Sequence, residues 1–188
     1  MAEKIEALSN KKESEQQVAL RVREILAAQI PDYLVESGRS ILYRIEIDTS
    51  GQVTYDNADR PKRGQYAFQT DIAISKDGLP LVVIELKSGS FSSHDVITYS
   101  WKASRHKQIY PFLRYGFVVV ASYGLGRRFA THNEGFDFAM ALPNEAAIEI
   151  DLAALVKRQI ESAERLKRLM GTTRMKIRRF EQTVEIDH

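Results

Sequence analysis

The sequence predicts an α/β fold in which a mixed sheet is flanked by helices. Two observations carry this. Apolar residues recur at helical spacing near the start, middle and end of the chain, and between those segments lie short runs that alternate or are wholly apolar. The order helix, strands, helix, strand, helix places at least one crossover between sheet strands. The 188 residues, 44% of them hydrophobic, are enough for one well-filled core.

The first helix spans about Glu13 to Gln29, with Val18, Val22, Ile25 and Leu26 on one face and Pro31 ending it. The residues before it, Met1 to Asn10, read as a frayed start. Ile41 to Ile47 alternates as a strand, and Thr49 to Arg63, with Gly51, Asn57, Asp59 and Pro61, reads as a hairpin or loop. Two strands follow, Phe68 to Ser75 and Leu81 to Lys87, joined through Lys76, Asp77, Gly78 and Leu79 as an antiparallel hairpin. A second helix is expected from His94 to Leu113, then a buried strand from Phe117 to Ala121 and another from Phe136 to Leu142. Leu152 to Met170 is a charged amphipathic helix, suited either to completing the core or to a dimer interface. Arg174 to Ile186 is either an edge strand or a basic extension. The chain therefore reads as a single domain, 1–188, with a core at about 13–142 and a C-terminal helix and extension at 143–188.

Composition excludes several functions. With no cysteine there is no disulfide framework, thiolate zinc site or cysteine nucleophile. No GxxxxGK[ST] run is present, so no nucleotide cofactor is expected. The apolar runs are strand-sized, and the chain is expected to be a soluble cytoplasmic protein without membrane association. His94, His106 and His132 lack zinc-type spacing and are read as incidental. The net charge of +2 is small, but Arg165, Lys167, Arg168, Arg174, Lys176, Arg178 and Arg179 crowd the C-terminal end. That cluster suits either phosphate binding or a solvated surface.

The chemistry gathers in the hairpin. Alternation puts Asp71 on one face of its strand with Ala73, and puts Glu85 with Lys87 on one face of the next, roughly 6–7 Å apart at their α-carbons. A three-residue turn over Asp77 to Leu79 would pair Lys76 with Pro80 and set Asp71 opposite Glu85. A two-residue turn would set Asp71 opposite Ile84 and scatter the charges, because a one-residue slip reverses facing. Adjacent carboxylates repel, and either a shared proton or a divalent cation relieves them. Alternation alone is also satisfied by a salt-bridged strand end at Glu85 and Lys87, with Asp71 solvated.

Asp71, thirteen residues, then Glu85-Leu86-Lys87 resembles the D…ExK core of the PD-(D/E)xK nuclease superfamily. The segment Thr70 to Gly89, TDIAISKDGLPLVVIELKSG, is similar to the nuclease region at the N-terminus of type I restriction endonuclease motor subunits. That similarity extends over about Glu15 to Ser122, without the motor. The resemblance implies a restriction-endonuclease-like α/β/α core and a Mg²⁺-dependent DNA endonuclease, with Mn²⁺ as an alternative ion. It implies Asp71, Glu85 and the Leu86 carbonyl as metal ligands and Lys87 as the group that positions the attacking water.

The resemblance also implies a glutamate on the first helix, for which Glu15 is the candidate, with helix capping as the alternative. It implies a glutamine on the helix after the ExK strand. Gln108 is the candidate, although Phe112 stands where a tyrosine is expected, and Thr70 replaces the family's proline. Lys102 and Arg105, on an adjacent helix face, are the candidate phosphate contacts, with a solvated basic face as the alternative for either. The expected partner is DNA, with a homodimer or a partner restriction subunit for double-strand cutting. The rival readings are a structure-specific repair or junction nuclease and a non-catalytic nucleic-acid-binding module.

Overall fold

A computed structural model of the chain describes residues 14–54, 57–61, 66–181 and 183–186. The expected frayed start at Met1 to Asn10 lies outside them. Five strands form the central sheet, in the order β1 (Leu34–Ser37), β6 (Ile72–Lys76), β7 (Leu79–Ser88), β8 (Arg114–Val120), β9 (Phe138–Leu142). Strand β6 runs antiparallel to both its neighbours, β1 and β7, and β7, β8 and β9 are parallel. The α/β class with a mixed sheet between helices is therefore what the chain adopts.

Helix α1 (Glu15–Gln29) begins at Ser14, whose hydroxyl accepts from the Gln17 amide at 3.3 Å while the Gln17 side chain accepts from the Ser14 amide at 3.0 Å. This reciprocal pair satisfies two of the amides a helix start leaves free. Val18, Val22 and Leu26 bury one face of α1. Together with Val156, Ile160 and Ala163 of α5 (Ala153–Met170) they cover Ile72, Ile74, Val82, Ile84 and Leu86 of the sheet. Helix α5 thus completes the core, and it is reached through the short α4 (Glu145–Ala147) and a π-helical turn at Ile148–Leu152.

On the opposite face lies α2 (Ser93–Ile109), with Val96 and Ala103 packed over Ala73, Val83, Tyr115, Phe117 and Val119. The strand faces therefore divide as period-two alternation requires. Helix α2 is the parallel crossover from β7 to β8, and α3 (Gly126–His132), not foreseen in the sequence, is part of the crossover from β8 to β9. Gly116 of β8 is fixed by packing: a Cβ there would lie 2.1 Å from the Phe138 ring of the neighbouring strand.

Several sequence expectations change. Ile41–Ile47 is not one strand but two, β2 (Ser40–Leu42) and β3 (Glu46–Ile47), paired respectively with β5 (Ala67–Gln69) and β4 (Val53–Thr54). The expected strand Phe68 to Ser75 is broken at Thr70 and Asp71, so that β5 and β6 belong to different sheets. Buried Thr70 anchors the break, its amide and hydroxyl both donating to the Arg39 carbonyl, at 2.9 and 3.0 Å. Edge strand β1 was not expected, because a four-residue strand with one buried position leaves too little pattern. Residues 172–181 and 183–186 form no strand, which leaves the C-terminal segment an exposed extension.

The turn that sets the site's register also differs from expectation. Lys76 pairs with Leu79, so the loop is the two-residue Asp77-Gly78, both at positive φ (52° and 78°), as a tight hairpin turn requires. The register then shifts between Ile74 and Ser75: Ser75 pairs with Pro80, but Ile74 pairs with Val82, which leaves Leu81 as an extra residue. Leu81 and Val82 both enter the core beneath α1 and α5, as a bulge allows and strict alternation does not. The bulge restores the residue that the short turn omits. Ile72 pairs with Ile84, and the next positions in line are Asp71 and Glu85.

Candidate active site

Glu85 projects from the end of β7 toward α2 and is 1% exposed. A carboxylate so buried must be compensated. Its Oε1 accepts a hydrogen bond from the Tyr115 hydroxyl at 2.6 Å, and Lys102 Nζ stands 3.8 Å away. Asp71 lies beside it, with Oδ2 accepting from the Leu86 amide at 2.7 Å. The two carboxyl groups are close enough to interact, so the charge of each bears on the other. Burial and the Asp71 charge push Glu85 up to about 7, against the opposing pull of Lys102 and Tyr115. Burial likewise raises Asp71, with the Leu86 amide opposing it. The pair is thus poised to share a proton or a cation.

Lys87 follows Glu85 by two residues on the same strand and is 15% exposed at its side chain. Its Nζ lies 3.2 Å from Glu15 and 3.4 Å from Asp95, and 5.4 Å above the Tyr99 ring. Burial works against its charge, but Tyr99 and Glu15 more than offset that and hold its pKa well above the ordinary lysine value. The ammonium is therefore a fixed positive charge at the rim of the carboxylate pair.

Of the residues singled out from sequence, Asp71, Glu85 and Lys87 come together. Glu15 joins them at the rim: Ser14 supplies the helix cap, and Glu15, half-exposed, pairs with Lys87 and raises Asp71 through its charge. Leu86 contributes its backbone to Asp71 while its side chain is buried on the opposite face. Gln108 does not reach the cluster. It is exposed near the far end of α2, where it accepts a 3.3 Å hydrogen bond from Arg105, because its helical face is the outward one it shares with Trp101. Arg105 is exposed and stacks over Trp101 at 5.2 Å. Lys102, expected as an outlying phosphate contact, instead points inward, held between the Tyr99 ring at 4.9 Å and the Phe68 ring at 5.7 Å.

Three further residues complete the cluster. Tyr115 was missed because the strand appeared to begin at Phe117, whereas β8 begins at Arg114. Asp95 closes a capping box with Ser92, a Ser-x-x-Asp spacing that is legible in sequence. Tyr99 lies four residues after Asp95 and three before Lys102, so all three share one face of α2.

Among the described residues no group of three or more His, Asp or Glu side chains forms a ready-made metal cage. The donor set does fit a hard divalent cation. Asp71 Oδ1 and Glu85 Oε2 are not taken by the Leu86 and Tyr115 bonds, and Mg²⁺ is commonly held through one or two carboxylates while it keeps several waters. No described helix is long and apolar enough to cross a membrane. Compared with protein-family models and with curated proteins, the chain matches none.

Proposed function

We propose that this chain is a metal-dependent nuclease of the PD-(D/E)xK type that hydrolyses DNA phosphodiesters with Mg²⁺, or Mn²⁺ in its place, as part of a restriction or defence system. The observation that carries the reading is the buried Asp71–Glu85 pair, brought into register by the β7 bulge, with Lys87 two residues beyond it.

A bound Mg²⁺ would supply charge to polarise a phosphoryl oxygen and acidify a coordinated water. Asp71 and Glu85 would hold it, and the Leu86 amide and Tyr115 hydroxyl fix the direction of those carboxylates. Lys87 would orient the attacking water and offset negative charge developing on phosphorus, a function for which a lysine kept fully protonated is suited. Lys102 lowers the cost of burying Glu85 and supplies positive charge on the α2 side. One such cluster cuts one strand, so a double-strand break would call for two copies or two encounters.

Purified protein incubated with plasmid and Mg²⁺, beside Asp71→Ala and Lys87→Ala, tests the assignment. Cleavage should fall by roughly 10²-fold or more in each variant, the scale of losing one transition-state charge contact. Cleavage that survives both substitutions would sink it. DNA binding without cleavage by the unaltered chain would favour a non-catalytic module.

A further inference from the structure

Beside the acidic cluster, α2 presents an outward stripe on which Ile97 is 51% exposed and Trp101 47%. Four residues apart, the two side chains are neighbours on the helix surface and make one apolar patch, the kind of surface that marks an interaction site. The Trp101 ring is not loose. Its neighbour Phe68 meets it edge-on at 5.7 Å, and Tyr43 stacks on Phe68 at 3.9 Å with rings 15° from parallel, so the three form one aromatic shelf. Two cations border the shelf: Arg105 over Trp101 at 5.2 Å and Lys102 over Phe68 at 5.7 Å. Lys102 is also the residue 3.8 Å from Glu85, so the shelf is continuous with the acidic cluster.

Aromatic faces interleaved with Lys and Arg are what an unpaired strand requires, because bases stack on rings irrespective of sequence while the cations follow the phosphates. A base in a duplex is already stacked on both faces and cannot use such a ring. We infer that Trp101, supported by Phe68 and Tyr43, stacks an unpaired base of the DNA strand next to the scissile phosphate, so that the enzyme prefers single-stranded or locally unpaired DNA. This rests on the nuclease reading for the position of the phosphate. Among the described residues, exposed Arg105 is held by the Trp101 ring and by Gln108 one turn on along its own helix, so it can swing from the ring to the strand.

Trp101 is the only tryptophan in the chain, so fluorescence excited at the red edge, where the eight tyrosines do not absorb, reports on it alone. The intact protein in EDTA, which prevents cleavage, is titrated with a short oligo-dT strand and separately with a dA·dT duplex of the same length. Stacking predicts strong quenching by the single strand and several-fold less by the duplex. Binding of a labelled oligo-dT strand, followed by anisotropy, should weaken roughly 5- to 150-fold in Trp101→Ala, the equivalent of about 1–3 kcal/mol per stacked base. Trp101→Phe, which keeps a stacking face, should lose less.

Equal quenching by strand and duplex, quenching by neither, or wild-type affinity in Trp101→Ala would each overturn the inference; quenching by neither would leave the stripe to a protein partner. The two readings fail separately. Strand-selective quenching by a protein that cuts nothing in Mg²⁺ removes the nuclease and keeps the shelf. Cleavage of strand and duplex alike, unaffected by Trp101→Ala, keeps the nuclease and removes the shelf.

Discussion

Replacing Glu85 by glutamine should make the metal-free protein more stable, and only at the alkaline end. Glu85 titrates at 4.5 when unfolded and is pushed up to about 7 in the fold, so the folded state binds its proton more tightly than the unfolded state does. Its contribution to stability is therefore complete below about pH 4.5 and is lost as the pH rises through 7. At about 1.4 kcal/mol per pH unit, ionising a buried carboxylate beside Asp71 costs about 3 kcal/mol by pH 8.

Glutamine keeps the shape, can still accept from Tyr115, carries no charge and offers an N–H to Asp71. In EDTA, Glu85→Gln and the unaltered protein should melt together near pH 4.5. By pH 8 the variant should melt about 6–12 °C higher, at about 2–4 °C per kcal/mol for a chain of this size. Mg²⁺ should then raise the melting temperature of the unaltered protein and leave the variant nearly unmoved, since the cation relieves the repulsion that the substitution removes. A variant less stable than its parent at pH 8, or a gap that does not grow with pH, would refute the electrostatic account of the site.

Buried His106 should act with the opposite sign. Burial, then the Lys102 charge, lowers it from 6.5 to about 4, so its contribution is present above pH 6.5 and lost as the pH falls through 4. His106→Phe, which suits a ring packed against Tyr115 and Phe68, should remove about 3 kcal/mol of acid-side loss, visible in urea unfolding at pH 4 against pH 7. Because His106 and Glu85 oppose one another between pH 4.5 and 6.5, the unaltered protein should show a flat profile there and each single variant a sloping one. Tyr115→Phe deletes the 2.6 Å bond to Glu85 and should cost about 1.5–3 kcal/mol at pH 8, while moving the Glu85-linked transition to higher pH. Gly116→Ala, whose Cβ would meet the Phe138 ring at 2.1 Å, should lower the urea midpoint by the equivalent of about 1–3 kcal/mol or more. An unchanged midpoint would mean that β9 shifts to accommodate it.

Local pattern determined the parts of this protein that depend on neighbours in the chain. The apolar stripe of α1, the apolar run Leu81 to Ile84 of β7 and the capping signals follow from helical and strand periods, and they placed Glu85 and Lys87 on one face. The two-residue spacing of those charges survives any tertiary arrangement because alternation is a property of a single strand. Asp71 was different. The sequence favoured a three-residue turn, and the chain instead makes a two-residue turn and recovers the register through a bulge at Leu81, a choice set by how β7 packs beneath α1 and α5. Gln108 and Lys102 exchanged places for a related reason. Helical spacing says which residues share a face but not which face meets the sheet, and the burial of Val96, Ala103 and His106 turned Lys102 inward and Gln108 out. Tyr115, Tyr99 and Asp95 join the cluster only because β8 lies beside β7 and α2 lies across both, a proximity between distant segments that no local period encodes.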